Sequence, residues 1–266
     1  MPRLTAIIIT KNEAANIGAC LDSVAFCDER IVVDCGSDDD TISIAKSKGA
    51  HVTEHAWQGF GPQKNFALSL ATGEWVLSID ADERVTPELA VAIKKSVNET
   101  GVDGYEIRRR TRFLGQEMLQ SRLFPDYILR LFRRGRARFT DVLVHEGLIC
   151  AGPVARLSEV LLHDPVRRLE DALSRIDRYS TASAQMVVAR GRQVSFSTGI
   201  AHGVWMFFRI YIWRLGFLDG RIGFLFAVAN AEGSYYRYMK AWLKTCRRLD
   251  RSDPDEPSAC TKLVGL

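Results

Sequence analysis

Apolar and polar positions alternate in blocks along the first hundred residues. Residues 4–9 (Leu-Thr-Ala-Ile-Ile-Ile) make a short, largely β-branched run, the pattern of a strand buried on both faces. Lys11-Asn12-Glu13 ends it, and Ile17, Leu21 and Val24 then recur at helical spacing. A second run, Ile31-Val32-Val33, stops at Asp34 and gives way to Cys35-Gly36-Ser37-Asp38-Asp39-Asp40-Thr41. Ile42, Ile44 and Ala45 open another helix, with Gly49 placed to stop it. His51-Val52-Thr53 is a third strand candidate, residues 63–70 read as a helix broken by Gly73, and residues 75–79 read as a strand. Strands and helices alternating at this spacing predict a mostly parallel, Rossmann-like α/β sheet flanked by helices. Ligands of such sheets sit beyond the carboxyl ends of the strands. Glu13, Asp34, Asp39, Asp80 and Asp82 all fall there.

The pattern changes after a helix opened by Thr86 as cap and Pro87 in its first turn. Residues 104–110, 128–132 and 138–146 read as strands of a mixed extension, and residues 169–188 as an amphipathic helix. Residues 203–228 are apolar and rich in Phe and Trp, but Arg209, Arg214, Asp219 and Arg221 interrupt them. The uninterrupted runs fall short of the roughly 20 residues that span a bilayer. Aromatics interleaved with arginines fit helices lying in a membrane interface; a hairpin covering the core or a dimer face is the alternative.

Composition adds one asymmetry. The 266 residues carry a net charge of +4, yet the stretch from Tyr105 to Arg138 holds ten arginines against three acids, leaving the rest of the chain acidic. Arginine suits bidentate grip on phosphate or carboxylate. The six cysteines form no C-x-x-C pair and read as reduced thiols of a cytosolic protein. The first apolar run is too short for a secretory signal. No G-x-G-x-x-G follows the first strand and no P-loop is present, which argues against dinucleotide dehydrogenases and P-loop NTPases.

The pattern Asp-x-Asp occurs three times, at Asp38/Asp40, Asp80/Asp82 and Asp253/Asp255. Only Asp80/Asp82 follows a strand-like run; the last pair lies in a proline-containing polar tail. Strand alternation would put Asp80 and Asp82 on one side, within reach of one cation. A hard divalent ion takes oxygen ligands and commonly shares its sphere with substrate phosphates.

Taken in order, Ala6-Ile-Ile-Ile-Thr10-Lys-Asn-Glu13, Ile31-Val-Val-Asp34-Cys-Gly-Ser-Asp-Asp39-Asp-Thr41, Gln63-Lys64-Asn65 and Ile79-Asp80-Ala-Asp82-Glu83 resemble the motifs of family 2 inverting glycosyltransferases. Val144-His145-Glu146 and the segment Arg214-Leu-Gly-Phe-Leu-Asp-Gly220-Arg-Ile-Gly-Phe224 resemble the bacterial branch that glucosylates the lipopolysaccharide inner core. The resemblance implies a GT-A fold over residues 1–162. Residues 1–100 would be its nucleotide-sugar half and 101–162 its acceptor half. A C-terminal helical membrane-interface extension (163–250) and a polar tail (251–266) would follow.

It further implies a UDP-sugar donor, UDP-glucose first, and Mn2+ or Mg2+ as cofactor. The acceptor would be an anionic lipid-linked saccharide, met by peripheral contact with the cytoplasmic membrane face, and no nucleic acid is involved. By position, Thr10, Glu13, Asp34, Asp39, Lys64 and Asp80 correspond to the nucleotide-sugar side. Asp82 and His145 correspond to metal ligands (His145 alternatively to a phosphate contact), and Glu146 to the catalytic base. Arg130 and Arg133 are expected phosphate partners. For the Asp-rich loop, helix capping by Ser37, Asp38 or Asp39 is an equally available role.

Overall fold

The computed structural model describes residues 3–119, 126–140 and 147–252, with side chains through Cys246. Two compact units divide the chain, one of residues 1–112 with 123–165 and one of residues 113–122 with 166–266.

The first unit opens with β1 (Leu4–Thr10), α1 (Ala14–Ser23), β2 (Glu29–Asp34), α2 (Thr41–Ser47), β3 (His51–Glu54), α3 (Phe60–Leu70) and β4 (Trp75–Ser78). β5 (Glu83–Val85), α4 (Pro87–Ser96) and β6 (Gly104–Phe113) follow, then, after β7 (Gln116–Glu117) of the second unit, β8 (Asp126–Arg133), β9 (Ala137–Phe139), β10 (Leu148–Cys150) and β11 (Val154–Val166). Among the described residues the main sheet of this unit has the order β3-β2-β1-β4-β8-β6-β11-β5; β9 and β10 form a separate ribbon. β1 pairs in parallel with both β2 and β4, and β2 with β3. The strands beyond β4 are added antiparallel, β8 on β4 and β6 on β8. This is the α/β GT-A arrangement, a parallel half carrying a mixed extension.

Burial explains the run pattern. Ile8, Leu77, Ile107 and Leu131 meet Ile17, Leu21, Leu89 and Ile93 of α1 and α4 on one face of the sheet. Ile7, Val76, Phe132 and Phe139 meet Ala67 of α3 on the other. Both faces are therefore covered, and the central strands have no polar side to show. Thr86 caps α4 as expected, its hydroxyl accepting from the Leu89 N–H.

Gly73 allows the close approach of β4 to β1. Its N–H donates to Thr5 Oγ1 at 2.9 Å, and a Cβ there would lie 2.7 Å from both the Arg3 carbonyl and Thr5 Oγ1. Gly73→Ala is expected to cost about 1–3 kcal/mol by overpacking, read as a lower urea midpoint with an unchanged slope.

The second unit contains α5 (Leu169–Ala189), α6 (Phe196–Phe208), a π-helical turn (Arg209–Trp213), a 3-10 turn (Gly216–Asp219) and α7 (Gly220–Ser252). Gly199 and Gly203 of α6 lie against Met239 and Tyr235 of α7. Leu215 reverses the chain with φ +55°. Among the described residues, no helix is long and apolar enough to cross a membrane.

Candidate functional site

The carboxyl ends of β1, β2 and β4 come together because the three strands are adjacent and parallel. Two loops meet there. Asp34, fully buried, accepts from the Gly36 and Ser37 N–H groups on Oδ1, and from the hydroxyls of Thr10 (2.9 Å) and Ser37 (2.6 Å) on Oδ2. Its carboxylate thus ties β1 to the loop after β2. Asp39 accepts from Ala14 N–H at the start of α1 and from Thr41 N–H at the start of α2. Slight desolvation raises the Asp39 pKa, but the Thr41 hydroxyl and these N–H groups outweigh it and lower it. Asp40 and Glu13 occupy the N-cap positions of α2 and α1 without side-chain cap bonds; Asp39 instead satisfies the first N–H of both helices from the loop. Glu13 donates its N–H to Thr41 Oγ1 (2.8 Å) and accepts from Asn16 Nδ2. Asn12 holds φ +55°, and its amide oxygen accepts from the Asp38 N–H.

β4 ends at Ser78, so Asp80 and Asp82 lie in a turn, and the alternation expected of an extended strand does not apply. The Glu83 N–H donates to the Asp80 carbonyl (2.9 Å), and the Glu83 carboxylate accepts from the Asp80 N–H (3.0 Å). The two carboxylates consequently meet different partners. Lys64 Nζ reaches Asp80 Oδ1 at 2.9 Å, and the Arg130 guanidinium bonds Asp80 Oδ2 and, at 2.7 Å, Glu83 Oε1. Burial opposes ionisation of Asp80, yet the charges of Arg130 and Lys64 prevail and hold its carboxyl far below the ordinary range. Lys64 of α3 is buried.

Arg130 reaches this position through a register shift. β6 and β8 pair Tyr105 with Leu131 but Glu106 with Leu129, so Arg130 is the extra residue of a bulge. Bulges re-aim side chains in this way. Arg133, an expected phosphate partner, faces Glu74 and Asp103 and stacks over the Trp75 ring at 4.6 Å, at the amino end of β4.

Asp82 faces a residue the sequence reading missed. His163 Nε2 lies 3.5 Å from Asp82 Oδ2, and its Nδ1 lies 3.2 Å from the Thr111 hydroxyl. β11 carries His163 there by pairing antiparallel with β5, His163 opposite Glu83, while the Asp164 N–H donates to the Asp82 carbonyl. His145 and Glu146 lie outside the described residues.

The donor set fits a divalent ion only in part. Among the described residues no cluster of three or more His, Cys, Asp or Glu side chains could hold a metal. One carboxylate and one imidazole would leave most of the coordination to substrate oxygens, as Mg2+ commonly has it. A hydrogen bond at Nδ1 leaves Nε2 as the ligating nitrogen.

Comparison with known proteins bears on the same region. The family model for glycosyl transferase family 2 matches residues 5–152. An uncharacterized glycosyltransferase of Rickettsia felis is 31% identical over 255 residues, covering 90% of this chain and 89% of that protein. The lipopolysaccharide core biosynthesis glycosyltransferase LpsC of Rhizobium meliloti is 30% identical, covering 88% of this chain and 93% of that one. A solved glucosyl-3-phosphoglycerate synthase of Mycobacterium tuberculosis is 25% identical at a TM-score of 0.36, covering 42% of this chain and 44% of its own, a likeness too partial to carry a functional conclusion. With the family model covering more than half of the chain and relatives aligned over nine-tenths of it, the chain belongs to glycosyl transferase family 2.

Proposed function

We propose that this glycosyltransferase moves a hexose, glucose first among candidates, from a UDP-sugar to an anionic lipid-linked saccharide of the lipopolysaccharide inner-core class, with inversion at the anomeric carbon. The observation that carries the donor site is the pair of differently committed carboxylates at the end of β4: Asp80 set between Lys64 and Arg130, and Asp82 set against His163. Lys64 and Arg130 supply fixed positive charge beside the place where a diphosphate would depart. Asp82 and His163 would hold Mn2+ or Mg2+, which when bound neutralises charge on the leaving diphosphate. Thr10, Glu13, Asp34 and Asp39 shape the nucleotide side, Asp34 through the loop it organises. The acceptor oxygen attacks the anomeric carbon as the bond to the diphosphate breaks, and Glu146 is the residue proposed to take the hydroxyl proton. The name carried by the Rhizobium meliloti relative supports the acceptor class.

The second unit supports a position on a membrane surface. Trp213 is 71% exposed, Val204 65%, Leu218 59% and Trp205 50%, and Arg209, Arg214 and Arg221 are interleaved with them. Asp219, the sole acid between residues 203 and 231, is buried, with Oδ1 accepting from the Leu119 N–H at 3.3 Å. The outward side chains here are thus apolar or cationic, the composition suited to an anionic lipid interface. Trp213→Ser is expected to weaken binding to phosphatidylglycerol-containing vesicles on the order of tenfold without moving the melting temperature; equal sedimentation of variant and wild type would remove the membrane assignment. The acceptor class is tested by incubating the protein with UDP-[14C]glucose and core lipopolysaccharide from a truncated strain. Label entering the lipid fraction is the expected result, and label entering polyprenyl phosphate instead would displace the inner-core reading.

A further inference from the structure

We infer that Arg84 is the positioning residue of Asp82: its guanidinium holds the peptide that leads into Asp82, and so sets where that carboxylate presents an oxygen to a divalent ion. This rests on the glycosyl-transfer reading above. Arg84 lies on β5 one residue beyond Glu83, opposite Leu162 of β11. Its Nη1 donates to the Ala81 carbonyl at 2.8 Å and to the Glu83 carbonyl at 2.6 Å, and its Nη2 to the Asn16 carbonyl of α1 at 2.8 Å. One half-buried side chain therefore gathers the turn between β4 and β5 against the helix that follows the loop after β1. A planar fork with several donors is suited to spreading bonds over three carbonyls; a single ammonium is not.

Peptide geometry makes this grip bear on Asp82. A peptide unit is planar, so holding the Ala81 carbonyl also orients the Asp82 N–H and the bond to its Cα. On the other side of that Cα, the Asp82 carbonyl accepts from the Asp164 N–H at 3.0 Å. With both flanking peptides held, the two soft backbone dihedrals of Asp82 are set, and with them the direction of its Cβ. That direction brings Oδ2 to 3.5 Å from His163 Nε2. α1 is a firm anchor for the arrangement, since its Ile17 and Leu21 are fully buried. Asn16, Cys20 and Ser23 follow one another at helical spacing and share one side of α1. Cys20 Sγ donates to the Asp80 carbonyl at 3.5 Å, and the Ser23 hydroxyl accepts from the Val85 N–H at 3.2 Å. These bonds keep the turn on α1 when Arg84 is replaced. What the replacement frees is the Ala81 peptide.

The test uses the full chain and follows binding of Mn2+ in the presence of UDP by calorimetry, with binding of UDP without metal and the melting temperature as companions. Arg84→Lys is expected to raise the Kd for Mn2+ on the order of tenfold while leaving UDP affinity without metal and the melting temperature close to wild type. Arg84→Ala should raise it further and lower kcat about a hundredfold, the scale on which a misplacement of about 1 Å is felt. In the Asp82→Ala background, Arg84→Lys should cost nothing more in Mn2+ binding, because a positioning residue has nothing left to position. An Arg84→Lys protein that binds Mn2+ as wild type does overturns the assignment. So does a loss that persists undiminished in the Asp82→Ala background, which would place the effect elsewhere. Equal loss of UDP binding with and without metal, together with a lowered melting temperature, assigns Arg84 to folding and overturns it too, as does a wild type that takes up no Mn2+ beside UDP. None of these readings needs an acceptor or turnover. A failure of the transferase reading is therefore visible by itself, as Mn2+ and UDP bound without sugar transfer.

Discussion

Asp82→Ala is expected to lower sugar transfer by about three orders of magnitude or more, the scale on which losing charge stabilisation at a leaving group is felt. The substitution removes the carboxylate that faces His163 at 3.5 Å. It leaves the backbone arrangement, because the Asp82 carbonyl still accepts from the Asp164 N–H. The fold should therefore survive, and the melting temperature should move little. His163→Ala is expected to act at the same place with a different signature. Loss of a nitrogen ligand raises the metal concentration needed for half-maximal rate before it lowers the rate at saturation. A His163→Ala protein with unaltered metal dependence would detach the imidazole from the metal. The pair then distinguishes ligand from bystander, which a single activity loss does not.

Arg130→Ala carries the second large effect, this time on stability. Glu83 is fully buried and bonds Arg130 at 2.7 Å; its next cation, Arg109, stands 3.7 Å away. Removing one partner of a buried ion pair leaves the other charge uncompensated, at about 3–5 kcal/mol. Lysine is not a safe replacement, since one guanidinium serves Asp80 and Glu83 together. The pH dependence has a definite sign. Asp80 has a folded-state pKa far below its unfolded value, so its contribution is complete above the unfolded carboxylate range near 4 and is lost only as pH falls through the folded value. In wild type that contribution should stay complete from neutral pH down to about 4, whereas the buried carboxylates that Arg130→Ala leaves uncompensated relieve their burial by taking up protons, so the gap between the two proteins should narrow as pH falls. Chemical denaturation at several pH values reads it. A gap that does not change with pH would mean that Arg130 compensates no buried carboxylate.

Much of the first unit was legible because its signals are local. Continuous apolar runs ending at residues 9, 33 and 79, the last two directly before an acid, marked buried parallel strands, and their common end placed Asp34, Asp80 and Asp82 near one another. Thr86 and Pro87 opened α4 where their chemistry said a helix begins. What escaped the reading is set by distant pairings. His163 is a single histidine on a half-exposed strand, and nothing near it in sequence announces that β11 pairs with β5 some 80 residues earlier. The burial of Lys64 depends on where α3 falls against the end of β4. The direction of Arg130 depends on a bulge that no local pattern encodes, and Arg133, three residues on, goes to the other end of the strand. Even the Asp80–Asp82 geometry was misjudged by a short distance: the strand stops at Ser78, and two residues of turn replace alternation with divergence.

The most direct test of the account is release of nucleoside diphosphate from a panel of UDP-, GDP- and ADP-sugars, with Mn2+, Mg2+ or chelator, by wild type and Asp82→Ala side by side. The account predicts metal-dependent release of UDP from one donor, UDP-glucose first, abolished in the variant. Release that is equal in the variant, or no release from any donor with deacylated and lipid-linked core acceptors present, would contradict it and leave the fold as a binding platform without turnover.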